Sequence, residues 1–96
     1  MKNITELMCD FVETNTKLLV DNPDDVNIKV SISTKSVIIQ IKTAQEDCGK
    51  IIGKKGRTVE SLKILTLAVK NTHFPEDTRK ITVEIIEDED SNFNYR

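Results

Sequence analysis

Val26, Ile28, Val30 and Ile32 alternate with Asn27, Lys29, Ser31 and Ser33, a period of two, while on either side of this stretch apolar residues recur at spacings of three and four. The first pattern is that of a strand with one buried face and the second that of amphipathic helices. A chain of 96 residues that changes period in this way has room for one sheet and the helices that cover it, and for no second core.

Ile4, Leu7, Met8, Phe11, Val12, Leu18 and Leu19 predict a helix over residues 4–21, opened by Asn3 and Glu6 as a capping box. Asn22-Pro23 closes it, because the residue before proline is pushed out of the α region. The strand from Val26 is followed by a second over residues 36–42, whose Val37, Ile38, Ile39 and Ile41 form a nearly continuous apolar run suited to a central strand. The turn between them, near Thr34-Lys35, lacks the Asn-Gly of the favoured two-residue loops. Residues 45–52 predict a short helix with Cys48, Ile51 and Ile52 on its inner face, and residues 57–71 a longer one. On the longer helix Val59, Leu62, Leu65 and Val69 share a face. Ile64 and Leu67 lie nearly opposite and need a second cover, either the first helix or a partner subunit. Residues 72–79 read as a loop and 80–87 as a last strand, with Ile81, Val83 and Ile85 on one face. Joined by two helices, the last two strands are expected to run parallel, with a right-handed crossover. The expected fold is α+β in the order α-β-β-α-α-β, a mixed three-stranded sheet with helices packed on one face. One domain fills residues 1–87, and the acidic residues 88–96 form a flexible tail.

Charge then narrows the function. Lys and Arg number 14 against 16 Asp and Glu, a net charge of −2, which excludes binding to nucleic acid through bulk positive charge. Any polyanion site has to be local, and one is visible. Lys50, Lys54, Lys55, Arg57 and Lys63 face only Glu60 between residues 50 and 63, a local net charge of +4. Two of the chain's three glycines, Gly53 and Gly56, bracket Lys54 and Lys55 there. Glycine brings no Cβ to hold a phosphate away, and Gly56 precedes a helix whose first N–H groups attract anions.

Several chemistries are excluded by the same reading. Cys9 and Cys48 stand far apart, and His73 is the single histidine, so no zinc site of the usual Cys/His kind is expected and both thiols read as reduced. Gly49-Lys50-Ile51-Ile52-Gly53-Lys54 is one residue short of a nucleotide-binding P-loop, and Lys55 stands where Ser or Thr would hold magnesium. His73 lies in a loop without a paired base, so no enzymatic activity is expected and no cofactor is implied. No run approaches a membrane span, and the start lacks the layout of a signal peptide, which predicts a cytoplasmic protein without membrane contact.

The segment from Ile51 to Leu62, with Gly53-Lys54-Lys55-Gly56 at its centre, resembles the IIGxxGxxIxxL pattern of the KH domain. The stretches Leu19–Val26 and Ala44–Lys50 resemble the small stand-alone bacterial KH proteins of the KhpA (YlqC-like) family. Gln45 and Cys48 depart from residues common there, and neither touches the loop. The resemblance implies the type II KH fold over most of the chain and a GXXG loop that clamps the sugar-phosphate backbone of about four nucleotides. It assigns the phosphate approach to Gly53 and Gly56, the neutralising charge to Lys50, Lys54, Lys55 and Arg57, and an apolar groove wall to Ile51, Ile52 and Val59, with strand three and the 72–79 loop opposite. The implied partner is single-stranded RNA, with single-stranded DNA as the alternative strand, in the role of an RNA chaperone or post-transcriptional regulator. The competing reading is a protein-interaction module that forms homodimers, or heterodimers with a larger KH-containing protein of the KhpB type, through Ile64 and Leu67.

Overall fold

The computed structural model describes residues 2–86. The predicted order is present: α1 (Ile4–Leu19), β1 (Asn27–Ile32), β2 (Ser36–Lys42), α2 (Cys48–Ile52), α3 (Arg57–His73) and β3 (Lys80–Ile86). The expected last strand residue, 87, and the tail 88–96 lie outside the described residues.

Helix α1 starts on the expected capping box. Asn3 Oδ1 accepts the Glu6 N–H at 2.8 Å, and Glu6 Oε1 accepts the Asn3 N–H at 3.2 Å. It ends two residues earlier than predicted, with Val20 already extended. The N–H groups of Asp21 and Asn22 instead donate to the Asp47 carboxylate at 3.3 and 3.0 Å, so a distant side chain takes the groups that another helical turn would have used.

Strand β1 pairs antiparallel with β2, and β2 pairs parallel with β3, in the order β1-β2-β3. The central place predicted for the denser apolar run is correct. The hairpin closes through Ser33, whose N–H donates to the Ser36 carbonyl at 2.8 Å and whose Oγ accepts the Ser36 N–H at 3.1 Å. Serine chemistry therefore substitutes for the missing Asn-Gly.

All three helices cover one face of the sheet. Val37, Ile39 and Ile41 on β2, with Ile81 and Ile85 on β3, pack against Met8 and Val12 of α1, Ile51 of α2 and Leu62 of α3. Burying a side chain of this size contributes about 1.5–3 kcal/mol, so these nine residues supply most of the hydrophobic driving force.

The buried face of α3 departs from the prediction. Leu62, Thr66 and Lys70 are buried, Val59 and Val69 are partly so, and Leu65 is 53% exposed. The helix is rotated so that two polar residues lie inward, each with a bond that makes its burial tolerable. Thr66 Oγ1 donates to the Leu62 carbonyl within the helix at 2.7 Å, and Lys70 Nζ donates to the Asp77 carbonyl at 2.5 Å. Ile64 and Leu67 remain 58% and 38% exposed, which removes the first helix as their cover.

Candidate nucleic-acid interface

Helix α2 is positioned by a buried carboxylate. Asp47 has no exposed surface, and besides the two backbone bonds it accepts the Asn22 side-chain amide at 3.0 Å. Burial alone would raise its pKa, but the bonds from Asn22 and from the Asp21 and Asn22 N–H groups, with the Lys50 charge, outweigh it and bring the carboxyl below its ordinary value. The start of α2 is thereby tied to the chain leaving α1. Its end is set by glycine, the Gly53 N–H donating to the Gly49 carbonyl at 2.8 Å.

The four-residue turn that follows has an unusual backbone. Gly53 has φ 76° and ψ 175°, a region open essentially to glycine alone. Lys55 (φ 58°) and Gly56 (φ 74°) are both left-handed, and Lys55 is the single non-glycine residue with positive φ among the described residues. The two glycines are needed for different reasons. A Cβ at Gly53 would fall 2.2 Å from Thr58 Oγ1 and 2.8 Å from the Thr58 nitrogen, whereas a Cβ at Gly56 would meet none of the described residues within 4 Å. Gly53 makes room for the protein's own chain, and Gly56 leaves open space outside it.

Around that space stand Lys54, Lys55 and Arg57, all exposed. Lys50 is exposed as well but leans back to Asp21, 3.3 Å away. Helix α3 begins on Gly56 with no side-chain cap, which leaves the positive end of its dipole facing the cations' side. Ile51 is fully buried and backs the turn from the core, so it offers no surface to a ligand; Ile52 and Val59 are partly buried and do.

From this end a groove of about 500 Å³ lies further along α3, between that helix and the start of β3. Its lining includes Lys63, Ile64, Leu67, Lys70, Arg79 and Ile81. Strand β3 is an edge strand. Because the Lys80 N–H is turned inward to the Lys35 carbonyl at 2.9 Å, the backbone groups of Ile81 and Val83 are directed outward along the open edge.

The loop before β3 is held by charges that the sequence reading missed. Arg79 Nε donates to Asp77 Oδ1 at 3.0 Å and Nη2 to Oδ2 at 2.5 Å, and the Arg79 N–H adds a bond of 2.9 Å to Oδ1. The Arg79 side chain and then its N–H, aided by the charges of Arg79 and Lys70 and opposed by burial, hold the Asp77 carboxyl well below the usual carboxylate range. One signal for this cluster was present: Lys70 falls on the stripe of Leu62, Thr66 and Val69, and a lysine there needs an internal acceptor. The Asp77-Thr78-Arg79 spacing carried no comparable warning.

Among the described residues no helix is long and apolar enough to cross a membrane, and Cys9 and Cys48 are free thiols.

The family model for the KH domain of KhpA/KhpB matches residues 9–85. RNA-binding protein KhpA of Chlamydia caviae is 38% identical over 81 residues, covering 84% of this chain and 99% of that one. RNA-binding protein KhpA of Caldanaerobacter subterraneus subsp. tengcongensis is 39% identical over 79 residues, covering 82% and 100%. The corresponding protein of Clostridium perfringens is 35% identical over 79 residues, with the same coverage. Among solved structures, that of an Aquifex aeolicus Era variant bound to GDP and aluminium fluoride superposes with a TM-score of 0.70 at 14% identity, over 92% of this chain and 33% of that one, a likeness of fold. On the extent of the family match and the identity to these relatives, each named an RNA-binding protein, the chain belongs to the KhpA/KhpB family of KH domains.

Proposed function

We propose that the chain binds single-stranded RNA, with the Gly53-Lys54-Lys55-Gly56 turn gripping the sugar-phosphate backbone and the adjoining bases lying along the α3/β3 groove. The carrying observation is the open space at Gly56, beside three exposed cations and an uncapped helix start. A phosphate entering there meets backbone and positive charge without displacing a side chain. Lys54, Lys55 and Arg57 neutralise it, and Lys50 joins them on release from Asp21. Ile52 and Val59 form the near wall of the groove, while Ile51 supports the turn from behind. One KH domain over residues 1–87 is the binding unit, acting in the cytoplasm as an RNA chaperone or post-transcriptional regulator, and single-stranded DNA is the competitor against which preference is measured.

The test is a Lys54→Asp, Lys55→Asp double substitution, titrated by fluorescence anisotropy with a short labelled RNA. Binding should be abolished while circular dichroism is unchanged; wild-type affinity in the variant would remove the turn from the mechanism.

A second reading is favoured by Ile64, 58% exposed, and Leu67, 38% exposed, which α1 leaves uncovered. We propose as the alternative that this flank of α3 joins two copies of the chain, or this chain to a larger KH-containing protein of the KhpB type, with nucleic-acid binding secondary, since Ile64 and Leu67 also line the α3/β3 groove and a copy seated on them takes the place of the bases.

A further inference from the structure

We infer that Arg79 is a specificity-determining residue of the α3/β3 groove, presenting a pre-oriented pair of N–H donors to a guanine base; the inference rests on the RNA-binding reading above. The guanidinium is half committed. Its side edge is taken by Asp77, with Nε 3.0 Å from Oδ1 and 3.2 Å from Oδ2 and Nη2 2.5 Å from Oδ2. The end edge, formed by Nη1 and the second Nη2 hydrogen, has no partner among the described residues, and the side chain is 26% exposed beside the groove.

That edge is also held still. Asp77 is fixed by the Arg79 N–H at 2.9 Å, and its carbonyl by Lys70 at 2.5 Å. Lys70 is 1% exposed and rides on a helix anchored in the core through Leu62 and Thr66. An arginine whose rotamer is already fixed loses little freedom on binding, so its remaining donors discriminate by geometry.

Two parallel donors in one plane fit two adjacent acceptors. Guanine O6 and N7 supply that pair; adenine offers an acceptor beside a donor on the same edge, uracil alternates acceptor and donor, and cytosine O2 and N3, open in an unpaired strand, are the one competing pair. The surroundings favour a base over a phosphate, because Ile64, Leu67 and Ile81 line the groove and suit a flat apolar face. The turn then supplies binding that is blind to sequence, and Arg79 supplies the choice of base.

The experiment uses the full chain and labelled hexamer RNAs: all uridine, and three series in which one guanosine, one adenosine or one cytidine is moved through each position. Wild type should bind the best guanosine hexamer at least about fivefold more tightly than its adenosine or cytidine counterpart. Arg79→Lys keeps the charge but loses the fork, and should bring that ratio below about twofold while the all-uridine affinity holds. Asp77→Asn leaves the guanidinium but frees it, and should level the ratio in the same way. The Lys54→Asp, Lys55→Asp variant should weaken every RNA together. Intact binding by wild type with no guanosine preference overturns the inference and leaves the RNA-binding reading standing. Equal weakening of all hexamers by Arg79→Lys makes Arg79 a phosphate contact and overturns it too. No binding of any hexamer by wild type overturns both readings.

Discussion

Gly53 and Gly56 both have positive φ, yet alanine should affect them very differently. At Gly56 the added methyl meets none of the described residues within 4 Å, so Gly56→Ala carries only the left-handed backbone penalty, about 1–2 kcal/mol. At Gly53 the backbone region is essentially glycine's own, worth about 1–3 kcal/mol. The methyl would also stand 2.2 Å from Thr58 Oγ1 and 2.6 Å from its Cβ. Relieving that overlap adds about 1–3 kcal/mol of overpacking. The total for Gly53→Ala is then about 2–6 kcal/mol, and at about 4–8 °C per kcal/mol for a domain of this size its melting midpoint falls by at least about 8 °C, against at least about 4 °C for Gly56→Ala. Thermal unfolding followed by circular dichroism measures both. In a Thr58→Gly background the Gly53→Ala loss should shrink but not vanish, since the Thr58 nitrogen stays 2.8 Å from the new Cβ. RNA affinity should show the reverse order relative to stability: Gly56→Ala, well folded, places its methyl where a phosphate enters. Equal midpoints for the two variants would refute the assignment of Gly53 to internal packing and Gly56 to open space.

Three further outcomes are expected. Thr16 is fully buried and its Oγ1 has no hydrogen-bond partner among the described residues, so Thr16→Val should stabilise the fold by about 1 kcal/mol in urea unfolding. The carboxyls of Asp47 and Asp77 both titrate below their ordinary value when folded, so the stability they contribute is present above about pH 4 and is lost as pH falls through their folded-state values; the urea midpoint should therefore hold level from pH 7 to 5 and drop below 4, with a shallower drop in Asp77→Asn. Ile64→Glu should lower the mass seen by light scattering without unfolding the chain, because Ile64 is 58% exposed, and an unchanged mass would count against that flank as a subunit seam.

The elements were legible in the sequence because each rests on a local pattern. The alternation from Val26 to Ile32, the dense run of β2 and the capping box at Asn3 decide their own structures, and β2 and the start of α1 are found where predicted. The turn was legible for the same reason, since two glycines around two lysines make a local statement. What the sequence concealed was decided by contacts between distant residues. The end of α1 depends on Asp47, 25 residues beyond Asn22. The rotation of α3 depends on whether Lys70 finds an acceptor, and that acceptor is a backbone carbonyl, which no side-chain pattern announces. Leu65 was therefore assigned inward and is exposed, while Thr66 and Lys70 took the buried places.

Helix α3 also sets the spacing between the two features of the proposed site. Its first turn opens on Gly56 and its last turns carry Lys70, which holds the loop bearing Arg79. Fourteen residues at 1.5 Å each set about 21 Å between those ends. Leu62 and Thr66, buried between them, prevent the helix from sliding along the sheet. On the proposed reading, the interval between backbone grip and base contact is thus fixed by the helix rather than by the ligand. A strand too short to span it would engage the turn alone and be held without regard to sequence, whereas a longer one would reach both, and only then could the identity of a base alter its affinity.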